Sequence, residues 1–210
     1  VKQLNARLVN QLRKPQNLEQ RSNMLKKILK WPNKTLQTPS VAVTAFDDEL
    51  EKTIVDLVDT CRVNYGAGLA APQIGVNKKI VIIKTSGLTE ENLSPVSYNP
   101  DYMVLINPIL ELDGDEIEWR EACLSVPDVS GKVKRKKKCS VVFMDEKGDT
   151  KKINADWPFS GVLQHEIDHL EGIVYLNKMD KRKRTALVWE LSRNKRKKYI
   201  EAKRKRRNAR

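Results

Sequence analysis

The sequence predicts an α+β domain, with mostly antiparallel strands wrapped around one central helix, an earlier helix before them and a basic helix after them. Three observations predict it. Apolar residues Leu50, Ile54, Leu57, Val58 and Cys61 recur at helical spacing behind Asp47 and Asp48. Short strand-like runs separated by turn signals fill the middle of the chain. Further on stands Gln164–Gly172, QHEIDHLEG, which holds both histidines of the chain four residues apart. On a helix that spacing sets two rings on one face about a turn apart.

The elements follow in order. Residues 1–23 are polar, rich in Gln, Asn and Arg, with Glu19 the one acid. They read as a disordered leader, part of an organellar transit sequence or residues upstream of a start at Met24, in each case with no catalytic role, and the folded unit is expected over residues 24–180. MLKKILKWP is a short apolar segment stopped at Pro32, and Asp47 or Asp48 caps the first helix. Cys61 on that helix reads as a small core residue. Gly66–Gly75, GAGLAAPQIG, is turn-rich and cannot continue it. Lys79–Thr85 is a strand, and Gly87–Asp101 is a loop rich in Ser, Asn and Pro. Strand-like runs cover Met103–Leu112 and Glu116–Glu121, while Lys132–Asp145 and Lys151–Ala155 form a hairpin about Glu146–Asp149. The helix bearing the histidines starts near Pro158 and ends at Gly172. Leu187, Leu191 and Ile200 suggest a last helix within residues 181–210.

Composition narrows the function class. With 40% hydrophobic and 6% aromatic residues, the chain reads as an ordinary soluble one, with no bilayer-spanning run and no secretory signal. Its three cysteines are odd in number and widely spaced, which predicts a reducing compartment and no disulfide partner. The net charge of +13 sits in the tail: residues 181–210 hold 15 Lys/Arg against Glu190 and Glu201, and residues 1–180 balance. A polycation of that density binds RNA phosphate by counterion release, with Arg196, Lys197, Lys198, Lys203 and Arg204 as candidate contacts. A solvated helix face is the plainer reading. Lys132–Lys138, KVKRKKK, reads as an exposed strand whose lysines discourage edge pairing.

QHEIDHLEG matches H-E-x-x-H, in which His165 and His169 offer two imidazoles to one metal ion and Glu166 handles a proton beside it. A catalytic site needs a third ligand and an open position. A histidine at 175 would complete one protease pattern, but Tyr175 stands there. Glu190 lies where another protease pattern takes its ligand, though inside a basic helix. Cys123, in Glu121–Pro127 (EACLSVP), offers a thiolate that metal binding itself deprotonates. Taken alone, it reads as a buried strand cysteine.

Together, GAGLAAPQIG, EACLSVP and QHEIDHLEG resemble, in order and spacing, the three signature motifs of peptide deformylase. The likeness also takes in KWPNKTLQTPSVAV and Phe159–Gly161. The resemblance implies a metallo-amidase that hydrolyses the formyl group from formyl-methionyl nascent peptides and releases formate. It implies Cys123, His165 and His169 as ligands and Glu166 as general acid/base. It also implies that the Gln73 amide and the Leu124 backbone N–H face the reacting carbonyl oxygen. The residue types suit those tasks, since a neutral amide stabilises an oxyanion without adding net charge beside the cation. One divalent ion per chain is expected, commonly Fe2+ in the family, while Cys/His2 suits Zn2+ by geometry.

Gly68, Ile74 and Val162 are candidate substrate contacts, the last two as apolar wall for the methionine. Asp168 is a candidate to orient a ligand or to pair with an arginine. One departure concerns Ala122, which occupies a glycine position of the family pattern; φ > 0 there would cost on the order of 1 kcal/mol. The family's C-terminal helix is linked to ribosome docking, so the resemblance implies that residues 181–210 meet ribosomal RNA. A formyl-methionine substrate implies the cytoplasm of a bacterial or phage-infected cell, or an organelle. The rival readings are a fold that has lost catalysis and binds RNA through its tail, and a protease using Glu190.

Overall fold

The computed structural model describes residues 25–85 and 101–208; the leader at 1–23 and nearly all of the expected loop lie outside them. Asp47 starts helix α1 (Asp48–Val63) by accepting the N–H groups of Glu49 and Leu50, and three acids in the first turn favour the helix dipole. The stripe Leu50, Ile54, Leu57, Val58 and Cys61 is buried against Ile80, Ile82, Tyr102, Val104 and Ile106 on one face of a sheet.

That sheet has five antiparallel strands in chain order, β1 (Gly68–Ala70), β2 (Ile80–Lys84), β3 (Tyr102–Cys123), β4 (Val126–Met144) and β5 (Thr150–Asp156). Strand parity sends Val81, Ile83, Met103 and Leu105 to the opposite face. There they meet Val141, Phe143 and Ile153, and Phe159, Leu163, Ile167 and Leu170 of helix α2 (Phe159–Leu170). Helix α2 is therefore enclosed, as the histidine-bearing helix is expected to be. Its last carbonyl accepts the Ser40 N–H at 2.7 Å. Gly172, at φ +70°, ends it where a Cβ would come within 2.7 Å of the Gln37 backbone.

Three local expectations change. Gly66–Gly75 is more than turns, because Gly68–Ala70 ladders onto β2 before a 3-10 turn at Ala71–Ile74; a three-residue strand carries no periodic signal. Met103–Leu112 and Glu116–Glu121 are one strand, since the register shift between Asp113 and Glu116, with Gly114 at φ +74°, passes the chain through a bulge. Lys132–Lys138 is not a bare edge. Along it β4 pairs with β3, where Lys132 and Lys134 meet Glu118 and Glu116 at 3.1 and 3.8 Å. On its other side Gln164 of α2 bonds both the N–H and the carbonyl of Lys136, and Ser160 donates to Lys137. Arg135, inside the run, is 3% exposed.

Helix α3 (Lys181–Asn208) begins at Asp180, whose side chain accepts the Arg182 and Lys183 N–H groups. It is not a free tail. Leu191, 2% exposed, packs with Leu187 and Val188 against Cys123, Val126, Val133 and Tyr175, whereas Ile200 is 55% exposed. No helix among the described residues is long and apolar enough to cross a membrane. Leu191→Ala is expected to destabilise the protein by about 2–4 kcal/mol in denaturant unfolding, and Ile200→Ala by less than about 0.5 kcal/mol. Two equally small effects would show that α3 is undocked.

Candidate metal centre

Cys123 closes β3 and Val126 faces it from β4, so Leu124–Ser125 is the two-residue turn of a hairpin. The turn delivers the thiol to α2, where His165 and His169 stand one helical turn apart with near-perpendicular rings, centroids 5.2 Å apart. Cys123 Sγ lies 3.3 Å from His169 Nε2. The ligand atoms of all three residues fall within 4.8 Å of one another. One sulfur and two imidazole nitrogens converging in this way suit a borderline divalent ion. The charges agree. Burial opposes ionisation of Cys123, yet His169 and His165 hold its thiol well below the ordinary range. Burial likewise opposes a charged His165, yet bonds to Cys123 and Glu121 raise its pKa well above the ordinary value. The pocket thus favours positive charge, which a divalent ion supplies while the imidazoles stay neutral.

Glu166 is buried beside the ligands and its Oε2 has no hydrogen-bond partner. Burial pushes its pKa up, with His165 and His169 pulling against it, as befits a group that takes and returns a proton. Gly68 gives it room: a Cβ there would lie 2.7 Å from Glu166 Cγ. Gln73, 2% exposed, accepts the Ala70 N–H at 2.8 Å through Oε1. That bond turns Nε2 toward Ser125 Oγ and Cys123 Sγ, at 3.2 and 3.6 Å.

Gln73, Leu124, His165 and Glu166 line a cavity of about 570 Å³, together with Gly68, Ala122 and Val162. Ile74 is not on its wall. Successive residues of a 3-10 turn point about 120° apart, and Ile74 goes into the core against α1. Ala122 is an exposed strand residue without positive φ, so the alanine brings no backbone strain.

The Asp168 carboxylate faces basic groups and not the candidate ligands. It accepts from Arg135 and lies 3.1 Å from Lys178 Nζ. Arg135 gives Nε and an NH2 group to Glu121 at 2.7 and 3.0 Å. Glu121 also accepts Trp119 Nε1 at 2.7 Å and binds His165 Nδ1 at 2.6 Å, which leaves Nε2 of His165 for a metal. Burial opposes the charge of Glu121, but His165 and Arg135 bring its pKa down to about 2. Sequence reasoning misses Glu121 and Arg135, though strand parity carries a signal for both: Glu121 shares a face with Cys123, and Arg135 with buried Val133.

Tyr175, at the position where a third histidine would close a protease pattern, lies beside the His165 ring at 6.4 Å and donates its hydroxyl to Val129 O. Glu190 is exposed on α3 and belongs to no ligand cluster among the described residues. Arg196, Lys197, Lys203 and Arg204 are exposed on the same helix. Lys198 pairs with both oxygens of Asp128, on the cavity wall, at 2.7 Å.

Residues 25–185 match the family model of polypeptide deformylase. The chain is 37% identical to the peptide deformylase of Helicobacter hepaticus over 164 residues, 78% of this chain and 88% of that one. A crystal structure of a peptide deformylase from Legionella pneumophila is similar with a TM-score of 0.73 at 32% identity, covering 83% of this chain and 98% of that one. The peptide deformylase of Ehrlichia chaffeensis in complex with actinonin gives a TM-score of 0.71 at 31% identity, over 82% and 98% of the two chains.

Glu121→Gln keeps the shape of the side chain and removes its charge. Metal affinity is expected to fall about 10–100-fold, read by competition with a chromophoric chelator. The folded pKa of about 2 lies below the ordinary 4.5, so the stabilisation from Glu121 is full above the ordinary value and is lost as pH falls toward the folded one. Metal-free wild type is expected to lose stability across that window, and the variant to lose less; equal losses would contradict this account of Glu121.

Proposed function

This chain belongs to the polypeptide deformylase family, and from that premise we propose how its own residues remove the formyl group from formyl-methionyl nascent peptides. Cys123, His165 and His169 would hold one divalent ion per chain, Fe2+ in the cell, with Zn2+ suited to the same donors. The ion, when bound, supplies Lewis acidity toward the attacking water and the formyl oxygen. Glu166 takes the water's proton as the new O–C bond forms at the formyl carbon. It then hands that proton to the amine as the C–N bond breaks, so formate and a free methionyl N-terminus leave. Gln73 Nε2 and the Leu124 N–H donate to the carbonyl oxygen as it gains charge. Glu121 keeps His165 in one tautomer throughout, and Gly68 and Val162 border the methionine side chain. The observation that carries this reading is the partnerless Glu166 Oε2 buried against the Cys123, His165 and His169 triangle.

The same reading gives α3 to ribosomal RNA. Arg196, Lys197, Lys203 and Arg204 offer phosphate contacts, and the exposed rings of Trp189 and Tyr199 offer stacking to unpaired bases. The setting is wherever translation starts with formyl-methionine: the cytoplasm of a bacterial or phage-infected cell, or an organelle.

Anaerobically prepared protein is expected to release formate from formyl-Met-Ala-Ser. Glu166→Ala is expected to lower kcat by about 10²–10⁴-fold while retaining the ion. A Cys123→Ala variant that kept both ion and turnover would contradict the ligand set. Binding of ribosomal RNA is expected to weaken steeply with salt, and replacing Arg196, Lys203 and Arg204 by Gln to flatten that dependence. Salt-insensitive binding would remove α3 from the proposal.

A further inference from the structure

Three consecutive residues before Pro32 reach both parts of the site that face the carbonyl oxygen. The Leu29 N–H donates to Gln73 O at 2.8 Å, Lys30 Nζ to Leu124 O at 2.6 Å, and the Trp31 N–H to Ser125 O at 2.9 Å. One short segment thus ties the loop holding Gln73 to the turn holding Leu124. Lys30, though exposed, also lines the cavity. A charge-assisted bond to a carbonyl is about twice as strong as a neutral one. Here it acts on the peptide group directly after Leu124, in a turn of two residues. Donors to an oxyanion act only when they are aimed at the position the charge will occupy.

We propose that Lys30 is a positioning residue of the deformylation site: by holding the Leu124 carbonyl it fixes the turn so that the Leu124 N–H and the Gln73 amide converge on one oxygen. This rests on the function proposed above. Lys30 is exposed at the cavity edge, where partial burial lowers its pKa and Cys123 and Asp128 pull against that.

Lys30→Met keeps the aliphatic stem and removes the ammonium. In the full-length, Zn2+-loaded chain, kcat on formyl-Met-Ala-Ser is expected to fall about tenfold with KM unchanged, and Lys30→Arg to restore most of it. Lys195→Met removes a second lysine bond to the same segment, at Trp31 O, and is expected to leave kcat as in wild type. The Leu124 amide resonance, followed by 15N NMR, is expected to move in Lys30→Met and to return in Lys30→Arg. If Lys30→Met does not fold, Lys30→Gln takes its place with the same expectations. An unchanged kcat, or a fall with an unmoved Leu124 amide, overturns the proposal. A wild type that binds Zn2+ but releases no formate would defeat the function instead, and the amide shift would still decide the clamp.

Discussion

A carboxylate buried as deeply as Glu121, 3% exposed, stays charged only where donors surround it. Here they come from three elements: Trp119 on its own strand, Arg135 across the hairpin on β4, and His165 on α2. Arg135 then reaches Asp168, one helical turn along α2 from His165, and Asp168 meets Lys178 beyond the helix. Buried ion pairs of this kind add little net stability over an apolar packing, yet breaking one is costly. Their use is geometric. The same set of bonds that joins α2 to the β3–β4 hairpin also sets the distance between the thiol of Cys123 and the ring of His165. Fold and ligand geometry therefore depend on one buried anion.

Much of this was legible in the sequence, for identifiable reasons. Helix α1 announces itself through its cap at Asp47 and its stripe from Leu50 to Cys61, and both are local signals. The convergence of Cys123, His165, His169 and Glu166 is legible because each lies in a short contiguous motif. What escaped depends on distant contacts. The strand at Gly68–Ala70 exists because β2 offers it a ladder, and three residues are too few to show a period. Arg135 disappears into a basic run whose neighbours face solvent. Ile74 belongs to the same motif as Gln73 but points into the core. Lys30 meets Leu124 across 94 positions of chain, and no local pattern anticipates that meeting.

The basic C-terminal region is where charge composition misleads most. Its density suggests a free polycation, but Leu187, Val188 and Leu191 press the start of α3 against the back of the hairpin that carries Cys123. Lys198 then spans to Asp128 at the cavity. The exposed charges of α3 are therefore carried on a helix fixed to that hairpin.

The central claim is that one ion is held by a sulfur and two imidazole nitrogens at the head of this cavity. X-ray absorption at the metal edge of the Zn2+-loaded protein tests it most directly. The account predicts one sulfur at about 2.3 Å and two imidazole nitrogens at about 2.0 Å, with the sulfur lost in Cys123→Ala. A first shell of nitrogen and oxygen alone in the wild type would contradict it.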